Sequence, residues 1–212
     1  MQRRVQRHGL SFWAGGVLAA ALLGVGTAVI WPRPPAEGSP EVTFARDMSA
    51  HHAQAVDMSV TMVKRAADPA VKLLAQDILL TQQAQIGQMG GWLMAWGRPL
   101  ASQEAPMAGM DRASMGLASA EDERELQHLP VNTAETRYLV LMRRHHQGGV
   151  AMAKSALKTV KRPEVRAFAE RVVAAQTSEI QAIDALLKKR MTGQPPAQAQ
   201  PEMPEMDGMQ HE

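Results

Sequence analysis

Residues 48–58 read MSAHHAQAVDM, and residues 142–152 read MRRHHQGGVAM. Met48, His51, His52 and Met58 thus return as Met142, His145, His146 and Met152 at one constant offset, 142 − 48 = 94 positions. The register runs well past the histidines: Phe44 matches Tyr138, Lys64 matches Lys158, Pro69 matches Pro163, Val71 matches Val165, Gln82 matches Gln176, Ile86 matches Ile180 and Leu93 matches Leu187. No insertion interrupts it. Self-similarity at a fixed period marks repeated supersecondary units, and two copies of a paired-helix unit point to a duplicated hairpin closing on itself rather than to an open solenoid.

Turn residues divide each copy into two helices. A first helix is expected from about Glu41 to Ala67, with a break at Asp68-Pro69, where an aspartate N-cap and a first-turn proline open the next helix. Val71, Leu74, Ile78, Gln82, Ile86, Met89 and Leu93 mark one stripe of that second helix, which Gly97 and Pro99 stop. The second copy predicts a helix from about Thr133 to Lys161, a break at Pro163 and a last helix to about Met191. Between the copies, Pro106, Gly109, Gly116 and Pro130 accompany Met107, Met110 and Met115, and one short helix is expected from near Ser119. The predicted fold class is all-α, a four-helix bundle over 41–192 built from repeats 41–97 and 133–192 and the methionine-containing connection 98–132.

At about 100° per residue, Met48, His51, His52, Ala55, Met58 and Met62 fall within roughly a third of a helix circumference. The other copy presents Tyr138, Met142, His145, His146, Gly149, Met152 and Ala156 in the same way, so an approximate two-fold axis would turn the two stripes toward each other. The small residues Ala55 and Gly149 are expected to permit close backbone approach there. A methionine stripe alone reads as adaptable core filling, and a single buried histidine reads as a hydrogen-bonded core residue. Two adjacent imidazole pairs, duplicated in register and flanked by thioethers, point instead to a soft metal, because buried imidazoles need partners and neutral imidazole is a ligand. Cu(I) suits thioether and imidazole together, Cu(II) suits imidazole, and silver shares the soft preference. The tail Met203, Met206, Met209 and His211 repeats the same donor chemistry and is a second candidate for Cu(I) or Ag(I), set against incidental methionines in a low-complexity end. Trp92 and Trp96 read as packing residues.

Catalysis is disfavoured. A di-iron or di-manganese bundle needs inward glutamates and Glu-x-x-His on two helices, and neither is present; Asp47 matches Leu141, Asp57 matches Ala151, and Glu170 and Glu179 match Gln76 and Gln85. Zinc hydrolysis would call for His-Glu-x-x-His, which is absent as well. No enzyme activity is expected.

The ends place the bundle. Arg3, Arg4, Arg7 and His8 in a basic segment 1–9 precede an uncharged apolar run, 10–31, long enough to cross a bilayer and longer than the core of a cleaved signal peptide. An uncleaved single-pass anchor is expected, with the basic end cytoplasmic and the folded part on the periplasmic, extracytoplasmic side. A proline-rich linker, 32–40, separates it from the bundle, and the tail 193–212 has too little apolar content to order itself. The 212 residues contain no cysteine, which fits export and leaves methionine and histidine to bind soft metals. A net charge of +2, with basic residues scattered among acidic ones, argues against nucleic acid. The oligomeric state is open.

These residues resemble the family known as domain of unknown function 305, whose pattern is an aromatic residue, Met-x-x-His-His, a small residue and a further methionine, given twice. The resemblance covers about Val42 to Lys189 and is most recognisable in residues 85–89, Trp92-Leu93, Trp96-Gly97 and 141–149. It implies a ferritin-like bundle, usually exported, associated with copper binding and copper tolerance. Carried over by position, the implied ligands are Met48, His51, His52, Met58, Met142, His145, His146 and Met152. Gly148 beside Gly149 departs from the pattern and predicts a looser second motif helix. The expectation is a membrane-tethered copper-sequestering or copper-transferring protein with a copper-handling partner; the alternative is a non-catalytic structural or interaction bundle whose histidines and methionines only fill the core.

Overall fold

The computed structural model describes residues 33–102 and 104–192. Among the described residues five helices form: α1 Pro40–Arg65, α2 Pro69–Ala95, α3 Ala120–His128, α4 Val131–Ala156 and α5 Pro163–Met191. Among the described residues there is no strand, and no helix is long and apolar enough to cross a membrane. The expected anchor 10–31 and the tail residues Met203, Met206, Met209 and His211 lie outside the described residues.

Local chemistry sets most boundaries. Ser39 and Asp68 cap α1 and α2 through their side chains, and each cap is followed by proline at the first turn. At the far end of α2, Arg98 N–H donates to Leu93 O and Gly97 N–H to Met94 O, with Gly97 at φ 65°, the left-handed closure that glycine permits. Ser119 and Asp122 form a reciprocal capping box that starts α3. One boundary departs from expectation. α4 ends at Ala156 rather than near Lys161: the N–H groups of residues 157–160 close a turn on the carbonyls of Ala153, Ser155 and Ala156, and the Arg166 guanidinium donates to the carbonyls of Leu157 and Val160 that this turn leaves open.

α1 packs along α2, α4 along α5, and the two hairpins meet chiefly through α1 and α4, with α3 laid against both. Two carboxylates at matching repeat positions latch the hairpins together. Glu135 of α4 accepts the N–H groups of Ala67 and Asp68 at 2.7 and 2.8 Å, at the turn of the first hairpin. Glu41 of α1 accepts those of Lys161 and Arg162 at 2.8 and 3.4 Å, at the turn of the second. Each hairpin thus satisfies the orphan donors at the start of the other's second helix.

The core divides around the histidines. One apolar cluster holds Met58, Met62, Ile78, Tyr138, Met142 and Ile183; the other holds Phe44, Met48, Met89, Met152, Phe168 and Val172. Trp92 stacks on Trp96 and meets Phe168 edge-on at 5.2 Å, so both tryptophans pack.

Candidate metal centre

All four motif histidines are fully buried, and α1 and α4 bring the two copies together at their centre. The rings of His51 and His145 face each other with centroids 3.8 Å apart and planes inclined by 33°. His52 and His146 lie one position further along, each about a ring's width away at 6.2 Å from its neighbour.

Each imidazole is held by its Nε2. His51 Nε2 donates to Met115 O at 3.0 Å, and His145 Nε2 to His51 O at 3.1 Å. His52 Nε2 donates to Gln85 Oε1 and His146 Nε2 to Glu179 Oε2, both at 2.7 Å. All four acceptors are oxygens, so the proton sits on Nε2 in every ring and Nδ1 keeps its lone pair. No Nδ1 has a hydrogen-bond partner. An oxygen that fixes the tautomer while the other nitrogen stays bare is the arrangement of a ligating histidine.

Burial keeps the rings of His51, His52 and His145 neutral. It pushes His51 down to about 4 and, with the repulsion of His51 added, His52 to about 3. Burial and then the neighbouring imidazoles hold His145 well below its ordinary value. At neutral pH these lone pairs are open to a cation without prior loss of a proton.

The methionines are distributed differently from the sequence pattern. Met58 and Met142 share one apolar cluster and Met48 and Met152 the other, so each thioether pair combines one residue from each repeat. Among the described residues, no three His, Asp or Glu side chains gather closely enough to hold a metal by themselves.

Several expectations are corrected. The paired glycines do not loosen α4, which is continuous through them. A Cβ on Gly148 would lie 1.8 Å from Met115 O, so the missing side chain lets the connection press against α4 and deliver that carbonyl to His51. Gly149 faces Gln176 of its own hairpin rather than α1, with Gln176 Oε1 only 2.3 Å from where a Cβ would be. Glu179, set aside because its counterpart is Gln85, contacts a motif histidine, and Gln85 does the same in the other half. The signal was there: both partners stand 33 positions after their histidine.

Met107 and Met115 of the connection pack on the second cluster. With Phe44, Asp47 and Met152, Met110 and Met115 border a surface groove of about 350 Å³.

Known proteins resemble this arrangement. A DUF305 fragment from Deinococcus radiodurans is 40% identical and superposes with a TM-score of 0.66, covering 74% of this chain and 99% of that one. A DUF305 protein from Streptomyces coelicolor is also 40% identical, at a TM-score of 0.69 over 74% and 96% of the two chains. CopM in its Cu(II)-bound form is 25% identical, at 0.53 over 71% and 97%. An uncharacterized protein of Acanthamoeba polyphaga mimivirus is 40% identical over 50 residues, 24% of this chain, and the match spans a third of that relative's length. The family model for the domain of unknown function DUF305 matches residues 41–187, and the chain belongs to that family.

Proposed function

We propose that this chain binds copper at the buried imidazole centre and sequesters it or passes it on, without catalysis. The observation that carries this reading is the set of four bare, buried Nδ1 atoms on rings whose Nε2 protons are already committed. An unpartnered buried polar atom costs about 1–3 kcal/mol, so four at one level favour a guest. Neutral imidazole with thioethers on either side is a donor set for copper in both valences and for silver. The likeness to CopM, which has been solved with Cu(II), supports the choice of metal. The apolar run 10–31 supports a membrane tether that keeps the bundle outside the cytoplasm, where a copper-handling partner would meet it.

Titration of the purified full-length chain with copper against a chromogenic chelator tests the proposal. Replacing His51, His52, His145 and His146 together by glutamine retains polar bulk and removes the imidazoles. Binding should weaken by about 100-fold or more, beyond the 10–100-fold typical of losing a supporting partner. Burial of the motif methionines in apolar clusters favours the second reading, a bundle that they merely fill. On that reading copper leaves the melting temperature unchanged, since only a ligand preferring the native state raises it.

A further inference from the structure

Gln82 and Gln176 occupy matching positions in the two repeats, on the second helix of each hairpin. They are 1% and 2% exposed, and neither carboxamide oxygen nor nitrogen has a hydrogen-bond partner in either residue. Gln82 stands one turn before Gln85, which holds His52, and Gln176 one turn before Glu179, which holds His146. Residues three apart share a helix face, so each carboxamide lies one turn from a side chain that holds a motif imidazole. Gln176 also sits against Gly149, one turn along α4 from His145 and His146, where a methyl group would collide with its Oε1.

A glutamine buried with its whole carboxamide idle is a poor core residue. Leucine would fill comparable space without the desolvation cost of an amide. Such a glutamine occurs twice, at equivalent places one turn from the residues that hold His52 and His146, and each carboxamide offers an idle oxygen in addition to the four idle Nδ1 atoms. Thioether sulfur suits Cu(I), whereas Cu(II) takes tetragonal sets of nitrogen and oxygen. The imidazoles supply nitrogen, and among the described residues no three His, Asp or Glu side chains converge to complete a set.

Building on the copper reading above, we propose that the carboxamide oxygens of Gln82 and Gln176 are the donors that let this centre hold Cu(II), leaving Cu(I) to the imidazoles and thioethers. The two glutamines are then determinants of valence preference, retained at a cost to the stability of the metal-free fold.

The experiment compares the full-length chain with Gln82→Leu/Gln176→Leu and with Gln82→Glu/Gln176→Glu. Cu(II) affinity is read by competition with nitrilotriacetate, Cu(I) affinity by competition with bicinchoninate, and the metal-free melting temperature by circular dichroism. The leucine variant should bind Cu(II) about 10-fold or more weakly, hold Cu(I) within about threefold, and melt higher than the wild type when metal-free, because idle amides have been replaced by apolar groups. The glutamate variant, which retains an oxygen at each place, should retain Cu(II), and its electron paramagnetic resonance spectrum should keep the g and copper hyperfine values of the unmodified chain, values that shift when an oxygen donor is lost. Equal loss of both valences, or a leucine variant that melts lower and binds Cu(II) normally, would overturn the proposal in favour of packing. If the unmodified chain binds neither ion, the copper reading itself fails; if it binds both and the leucine variant matches it, only the role of the glutamines fails.

Discussion

The two hairpins carry the same histidines at the same depth but support them with different chemistry. In the first, His52 is held by the carboxamide of Gln85; in the second, His146 is held by the carboxylate of Glu179. At the turn of the first hairpin Asp68 pairs with Arg190, while at the matching place in the second Arg162 lies over the ring of Trp96 at 5.5 Å from its centroid. The connection widens the difference. Gln54 of α1 grips it with two hydrogen bonds to the backbone of Ala118, at 2.8 and 3.0 Å, whereas the matching Gly148 of α4 admits it by having no side chain. The two halves therefore share the inward-facing imidazoles and the Glu41 and Glu135 latches, and differ in the side chains that hold His52 and His146 and in how they meet the connection. The connection, present once, forces the two halves to meet it differently.

The shared part of this comparison is the burial of neutral imidazole, and acid probes it with the largest effect. His51 and His52 titrate near 4 and 3 when folded against 6.5 when free, so the unfolded chain binds more protons between these limits and stability falls as pH falls below 6.5. Urea denaturation of the metal-free chain should lose about 2 kcal/mol per histidine between pH 7 and pH 5. A flat profile would mean that the rings are not buried as described.

The divergent part is sharpened at the connection. Gly148→Ala drives a methyl into Met115 O and should cost about 3 kcal/mol, at the upper end of overpacking. Gln54→Ala removes three hydrogen bonds from the other side, two to the Ala118 backbone and one to the Glu123 carboxylate, and should cost about 1–2 kcal/mol. Chemical denaturation ranks the two, and the reverse order would show that the connection rests mainly on α1.

The smallest effect belongs to Glu179→Gln, which makes the second hairpin resemble the first. A carboxamide oxygen still accepts from His146, as Gln85 does from His52, so stability should move by less than about 1 kcal/mol. In nuclear magnetic resonance, the Nε2 proton signals of His146 and His52 should become more alike. A larger loss would show that the carboxylate charge, and not the hydrogen bond, anchors the second pair.

Much of the fold is legible locally. Ser39-Pro40, Asp68-Pro69 and Ser119 announce helix starts because capping joins residues within one turn. The end of α4 is less legible, since Arg166 closes it from the following helix. At the centre, the repeat exposed the histidines and methionines, and the 33-position spacing to Gln85 and Glu179 was equally visible, although one partner is charged and the other is not. Met115 had no such signal, because it acts through its backbone carbonyl rather than its side chain.

The sequence by itself determined two helical hairpins with imidazole–thioether stripes, because helix periodicity and caps depend on near neighbours and the offset of 94 depends on nothing but position. Only the tertiary structure decided that His51 faces His145, that Glu41 and Glu135 each close the opposite hairpin, and that Gln82 and Gln176 stay buried and unpaired. Those relations join chain segments far apart in sequence, where no local propensity acts and packing alone selects the partner.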